Sequence, residues 1–382
     1  MAVPRARPRR TGDRPSPAPP SAGARRPLVK VHFLTRYGER GASSRYRTWQ
    51  HLPGLEREGI ECTATPLLGD EYLDARFARR RPPGLLVRAA LRRARERSAW
   101  READLIVVEK ELYPYAPAWF ERALLGRGTR FTLDFDDALQ HIYDQHPRSV
   151  VRMLLGRKMQ RLVRRARLVT VGNPYLEEAF APAAGPRTRI ESVPTVLDTD
   201  RYPVTPEPDA PFTIGWIGTP VSARNLAVVL EPLQRFFDHH RGRLLLIGAG
   251  DEPLPGIPVE RVSWSAETEA DLLASIHVGI MPLFDRPLER GKSGLKLLQY
   301  LAAARPVVAS PVGVNSSIVT PQVGRLAGDP ERWLEALIEL HDNPPLRARL
   351  GRAGRRLVES SYSLRHWTPR YAAYLREAAT TP

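Results

Sequence analysis

The chain is poor in cysteine, in acidic residues relative to basic ones, and in long apolar runs. Its one cysteine, Cys62, excludes an intramolecular disulfide framework, and no Cys/His spacing around it suits a zinc site. A reducing cytoplasm is therefore the expected compartment, and no metal ligand set is expected. The longest apolar runs, such as that within Arg305 to Val314, are strand-length and fall far short of the ~20 residues a membrane-spanning helix needs. Acidic residues number 42 against 58 lysines and arginines, a formal charge of +16. Such a balance points to acidic partners, with nucleic acid, an anionic membrane face and phosphorylated substrates as the competing classes.

What is present sorts these classes. The first 26 residues carry seven arginines, one aspartate and six prolines. They read as a disordered basic tail without the apolar centre of a signal peptide. No zinc finger, RRM-type aromatic motif or other nucleic-acid module is visible, so a nucleic-acid partner rests on charge alone and no specific one is expected. Two segments, Gly84 to Arg101 and Arg148 to Arg167, alternate Leu, Val or Met with Arg at helical spacing. They are expected to form amphipathic helices. The plain reading is an apolar stripe on a sheet with a solvated arginine face. The sharper one is peripheral contact with an anionic membrane that presents a lipid-linked acceptor.

A length of 382 residues with 42% hydrophobic content supports two cores of roughly 150 to 200 residues each. Strand-like runs at Val29–Thr35, Glu61–Pro66, Asp104–Val108, Arg130–Leu133 and Arg167–Val171 alternate with helix-compatible sequence. They are too continuously apolar for half-exposed strands, which argues for a parallel sheet covered on both faces. A proline-rich stretch, 194–211, follows. A second α/β unit then begins, with strands expected at Phe212–Ile217, Leu244–Ile247, His277–Met281 and Val307–Ser310. The expected plan is a basic tail (1–26), a first Rossmann-like unit (27–195), a linker (196–211), a second Rossmann-like unit (212–362), and a closing helix (363–382) returning to the first unit. Pro369 is expected to kink that helix or delay its start. Two doubly wound units joined in this way place ligands in the cleft between the carboxyl ends of their sheets.

The segment Pro287 to Gly313, PLERGKSGLKLLQYLAAARPVVASPVG, is a glycine-containing loop feeding a helix, a buried strand and a second glycine turn. Gly291 and Gly294 permit close backbone approach, amides at the helix start suit a phosphate, and Lys292 and Lys296 add charge beside it. The alternative is an ordinary βαβ loop with solvated lysines. This stretch resembles the donor segment of retaining glycosyltransferases of family 4, the group 1 glycosyl transferases, approximately EGFGLxxLEAMAxGxPVVASxxGG. FTIGWIGTPVSARNLAVVLEPL (Phe212 to Leu233) is similar to the first strand, turn and helix of that family's second domain, and VPTVLDTDRY (Val193 to Tyr202) to its linker signature.

The resemblance implies a GT-B fold, two Rossmann-like domains facing each other across a cleft. It also implies transfer of a sugar from a nucleoside diphosphate sugar to a hydroxyl of a glycan, lipid-linked glycan or small molecule, with retention, and no cofactor or metal. Arg224 and Lys296 are implied as the cations stabilising the diphosphate leaving group, with a donor phosphate oxygen helping to take the acceptor proton. Gly218, Thr219, Lys292, Ser293, Gly294, Leu295 and Gln299 would contact the donor. Two departures stand out: Gly291 and Gln299 occupy the positions of the family's paired glutamates, and Thr219 that of its first basic residue. They leave open a catalytically silent nucleotide-binding or scaffolding relative.

In the first unit, the loop LTRYGERGASSRYR places Gly41, Ser43, Arg45 and also Arg36 and Arg47 as acceptor-side candidates, with Ser43 or Ser44 alternatively a helix N-cap. TLDFDDALQH sets Asp134, Asp136 and Asp137 at a strand end, with Asp136 or Asp137 as candidates for orienting acceptor hydroxyls and helix capping or solvation as the alternative. The G-x-G of Gly248 to Gly250 reads as a turn, and His32 and His277 as structural.

Overall fold

The computed structural model describes residues 28–77, 80, 84–126, 128–251 and 253–381. The basic segment 1–26 lies outside them.

Two six-stranded, all-parallel sheets form the frame. The first comprises β1 (Val29–Tyr37), β2 (Ile60–Leu68), β3 (Leu105–Glu109), β4 (Phe131–Phe135), β5 (Leu168–Val171) and β6 (Arg189–Ser192), in spatial order 2-1-3-4-5-6. The second comprises β7 (Thr213–Ile217), β8 (Arg243–Ile247), β9 (Val259–Val262), β10 (Val278–Met281), β11 (Val307–Ala309) and β12 (Gly324–Leu326), in order 12-11-10-7-8-9. The central strands are buried along their whole length, β3, β4, β5, β7, β10 and β11 without exception. Helices cover both faces, as continuous apolar runs require. This is the GT-B fold. In each sheet the strand order reverses once, between β1 and β3 and between β7 and β10, and a crevice opens at the carboxyl ends of those strands.

The strands that the sequence pattern does not announce are β6 (RIES), β9 (VERV) and β12 (GRL). All three lie at sheet edges, where alternating charge is compatible with pairing on one side only.

The chain crosses between the units twice, and the crossings pair with each other. Leu197 N–H donates to the Tyr362 carbonyl (2.9 Å) and Leu364 N–H to the Leu197 carbonyl (2.9 Å). The helix Leu364–Thr380 then packs on β1, β3 and β5 through Tyr371, Ala372, Leu375 and Ala379. Pro369 sits inside this helix. The helix starts five residues before the proline, so the expected delay does not occur; Ser363 caps it, its hydroxyl accepting from His366 N–H.

The basic amphipathic segments depart from the expected stripe. In Leu85–Arg95, Leu86, Val87 and Leu91 face solvent, whereas Arg93 is buried and donates to the carbonyls of Thr35, Thr65 and Leu112. Carbonyls near the ends of β1 and β2 need a donor, and the arginine supplies it. The second segment breaks at Gly156 into Ser149–Leu155 and Lys158–Val163. Lys158 is buried against Glu111 (2.6 Å) and Glu121 (2.7 Å), while Val150, Met153 and Leu154 are exposed.

Candidate functional site

A cleft of about 620 Å³ runs between the units, lined by residues of both. Five basic side chains, Arg40, Arg45, Arg261, Lys292 and Lys296, line it against two acidic ones, Asp251 and Glu269. The excess of positive charge suits an anionic ligand.

On the second unit, the wall is built at the β7/β10 reversal. The turn after β7 brings Gly218 and Thr219, and the helix Leu295–Ala302 brings Leu295, Lys296 and Gln299. Gly294 precedes this helix with φ 70°, a left-handed conformation that favours glycine. Lys296 reaches from the helix to the turn, its Nζ 3.9 Å from the centre of the Trp216 ring. A Cβ on Gly218 would stand 2.8 Å from that Nζ, so glycine is what lets lysine and turn approach. Burial, and then the neighbouring Lys292, lower the Lys296 ammonium well below the usual lysine range, although the ring face favours its charge. An anion placed there would favour its charged form.

Some predicted donor residues stand outside this wall. Arg224 is not among the lining residues. Its guanidinium pairs with the buried Glu289 carboxylate at 2.8 Å, a partner the sequence reading did not consider. Ser293 donates to the Asp136 carbonyl of the first unit, and Gly294 serves as the helix cap. The loop carrying them is docked on the first unit rather than open: Asn173 Nδ2 donates to the Gly291 carbonyl at 2.8 Å. A Cβ at residue 291 would fall inside contact distance of Ala138 Cβ and 2.8 Å from its backbone nitrogen. The family's glutamate has no room here. Gln299 Nε2 donates to Tyr46 Oη at 3.2 Å, which a carboxylate cannot do.

On the first unit, Gly41, Ser43 and Arg45 line the cleft. Neither Ser43 nor Ser44 is an N-cap; Gly41 holds that position. Both hydroxyls turn to the end of β3, where Ser44 Oγ donates to Glu109 Oε2 (2.6 Å), and Ser43 Oγ lies 3.0 Å from Glu109 Oε1 and 2.6 Å from Asp136 Oδ2. Lys110, buried with φ 64°, pairs with Asp136 (2.8 Å) and Asp137 (3.6 Å). A lysine held in the left-handed region costs on the order of 1 kcal/mol or more, strain that its two ion pairs help to hold. Asp134 pairs with Arg47 deep in the core. Asp136 and Asp137 do not line the cleft; Asp136 lies beneath Ser43. Arg36 is turned toward Glu111 (3.1 Å), so Arg36 and Arg47 are structural ion-pair partners.

Arg45 belongs to the seam between the units. Its guanidinium stacks between the Tyr46 and Trp264 rings (4.7 and 4.6 Å) and pairs with Glu269 at 3.3 Å. Glu269 also accepts from Tyr46 Oη, Tyr202 Oη and Trp264 Nε1, each at 2.7 Å. The four donors come from the first unit, the connection and the second unit, and fill the carboxylate's acceptor sites. Sequence reading missed Glu109, Lys110, Glu269 and Trp264. Charged residues directly after the buried run of β3 were a visible signal for the first two. For Glu269 no local signal exists, because its partners lie up to 224 positions away.

His32, flanked by the Thr63 and Thr65 hydroxyls (2.7 and 3.0 Å), and His277, which accepts from Thr213 N–H (3.0 Å), have structural roles. Gly248 and Gly250, with φ 74° each, shape the turn after β8 and contribute to the cleft wall.

Residues 211–343 match the model of the family described as glycosyl transferases group 1. A curated relative, the GDP-mannose-dependent monoacylated alpha-(1-6)-phosphatidylinositol monomannoside mannosyltransferase of Corynebacterium glutamicum, is 29% identical over 223 residues. That match covers 51% of this chain and 58% of the relative's length. Among solved structures, sucrose-phosphate synthase of Thermosynechococcus elongatus superposes with TM-score 0.68 at 15% identity, covering 91% of this chain and 98% of that one. HepE of Anabaena, in complex with UDP-glucose, gives 0.64 at 14% identity, over 92% and 100%. These two similarities concern the fold.

Proposed function

We propose that the chain, whose residues 211–343 match the group 1 glycosyl transferase model within a GT-B pair of units, transfers a sugar from a nucleoside diphosphate sugar to a hydroxyl of a glycan, lipid-linked glycan or small molecule. The observation that carries this reading is Lys296: a cation in the cleft wall, beside a glycine turn and at the first turn of a helix whose amides point toward the same space. A diphosphate leaving group develops charge as the glycosidic bond breaks, and fixed cations and amides stabilise that charge more than the ground state. Lys292 and Lys296 take this role, since Arg224 stands aside. The turns Gly248–Asp251 and Val262–Trp264 form the remaining wall for the nucleoside. Gln299 holds Tyr46 and the helix in register. On the opposite wall, Gly41 and Ser43 face the acceptor.

Peripheral contact with an anionic membrane is supported by the exposed Leu86, Val87 and Leu91 among Arg88, Arg92 and Arg95, and by Val150, Met153 and Leu154 beside Arg148 and Arg152. Among the described residues, no helix is long and apolar enough to cross a membrane.

The test is a panel of UDP-, GDP- and dTDP-sugars against the full chain, read as thermal stabilisation and as release of nucleoside diphosphate. One donor should stabilise the protein, and Lys296→Ala should weaken its binding by about tenfold or more. Unchanged binding in that variant would remove the site assignment. Stabilisation without release on any acceptor would instead favour a silent nucleotide-binding relative.

A further inference from the structure

The donor wall accounts for the leaving group but not for the acceptor's proton, and the first unit holds a group suited to it. Ser43 Oγ lines the cleft, with Asp136 Oδ2 at 2.6 Å and Glu109 Oε1 at 3.0 Å behind it. A hydroxyl has one hydrogen. It cannot donate to two carboxylates at once, so one of the two acids must bring a proton of its own.

The surroundings decide which. Glu109 is buried; its other oxygen accepts from the Ser44 hydroxyl (2.6 Å) and the Arg36 backbone N–H (2.9 Å). Burial raises its pKa and Asp136 adds to this, while Lys110 and the bonds from Ser44 and Arg36 oppose it; the net direction is upward. Asp136 is also buried, which alone would raise it, but Lys110 at 2.8 Å, the Ser43 bond and Arg47 carry it below the usual carboxylate range. Asp137, 3.6 Å from the same ammonium, and the buried Arg93, which interacts with Glu109, are further charged groups facing the pair. With a proton on Glu109, the order is Glu109 O–H to Ser43 Oγ, and Ser43 O–H to Asp136. One lone pair of Ser43 Oγ remains for a hydroxyl entering the cleft. Ser293 of the second unit donates to the Asp136 carbonyl, so domain closure bears on the same residue.

We propose that Ser43 receives the acceptor's hydroxyl proton and hands its own to Asp136 during sugar transfer, with Glu109 as the neutral positioning residue that fixes the direction. The step balances. The acceptor oxygen bonds to the anomeric carbon, the bond from that carbon to the diphosphate breaks, and its electron pair leaves with the diphosphate. The acceptor proton passes to Ser43 Oγ and the Ser43 proton to Asp136 Oδ2. A protein relay thus does what the resemblance assigned to a donor phosphate oxygen. The inference rests on the glycosyl-transfer reading.

The experiment uses the full chain and the sugar nucleotide that stabilises it in the panel, with water as the acceptor and release of nucleoside diphosphate as the readout. Ser43→Ala and Asp136→Asn are expected to lower turnover by about 10²-fold or more, while thermal stabilisation by the nucleotide persists. Glu109→Ala should lose turnover and Glu109→Gln regain most of it, because the amide, like the protonated acid, can donate to Ser43 and accept from Ser44. The wild type should lose turnover as pH rises through the raised Glu109 pKa, and Glu109→Gln should lack that limb. Wild-type turnover in Ser43→Ala or Asp136→Asn, or a pH profile of Glu109→Gln identical to that of the wild type, overturns the relay while leaving donor binding intact. Absence of binding by every sugar nucleotide in the wild type overturns the transfer reading itself.

Discussion

At the scale of single residues, the replacement of both family glutamates has a common cause in the closed seam. Position 291 lies against Ala138, and position 299 must donate to Tyr46. Restoring the family's residue by Gly291→Glu should therefore be damaging. Its side chain would push the loop 291–293 off β4 and β5, and nucleotide affinity should fall by about tenfold or more, as measured by calorimetry. Equal or tighter binding would refute the steric account. Lys296 gives a second outcome at this scale. Since its ammonium is held below the usual range in the free protein, a diphosphate beside it favours protonation, and binding should take up protons. Calorimetry in buffers of different ionisation enthalpy, run across the pH range, reads this directly; zero uptake at every pH would place the diphosphate elsewhere. None of these roles was legible from the segment alone, because Ala138, Tyr46 and Trp216 are brought there by other elements.

At the scale of elements, the central strands were legible because burial on both faces writes a continuous apolar run. The edge strands β6, β9 and β12 were not, because half their surface is free to be polar. The donor helix was legible from its glycine and its apolar spacing. The arginine-rich helices were read in part: Met159, Leu162 and Val163 pack inward with Arg161 and Arg164 exposed, but Arg93 and Lys158 meet carbonyls and carboxylates contributed by other elements, which periodicity cannot reveal. The helix Glu269–Ala274 carries the strongest element-scale consequence. Glu269→Ala leaves Arg45 buried without its carboxylate and frees two tyrosines and an indole at once. Unfolding in urea should show a loss of about 3 kcal/mol, and small-angle scattering a larger radius as the units part. A variant as stable and compact as the parent would mean that the four-donor carboxylate does not hold the seam.

At the scale of the molecule, the paired crossings and the returning C-terminal helix make the two units interdependent, and buried histidines make them acid-sensitive. Burial first, then Arg93, lowers His32 to about 4. His51, packed edge-on to Tyr371 of the returning helix at 5.3 Å, is lowered to about 3 by burial and then by Arg47. Folded pKa values below the unfolded one mean that the unfolded chain binds more protons, so stability falls as pH drops below about 6.5. By about pH 5 the loss is on the order of 2 kcal/mol per histidine. Urea denaturation at about pH 7 and about pH 5 checks the sum, and His51→Leu should remove roughly half of the slope; identical midpoints at both pH values would contradict it.

The sequence by itself determined the two-unit α/β plan, the connecting stretch, and the loop and helix that carry Lys292 and Lys296, because those features are written in local apolar period, proline and glycine. Tertiary structure alone decided which cations face the cleft, why a glycine replaces a glutamate, and how Ser43, Glu109 and Asp136 share their protons. The physical reason is range. Propensity and periodicity act over a few neighbours, whereas charge neutralisation, steric exclusion and proton position depend on groups that meet only when two distant halves of the chain close on each other.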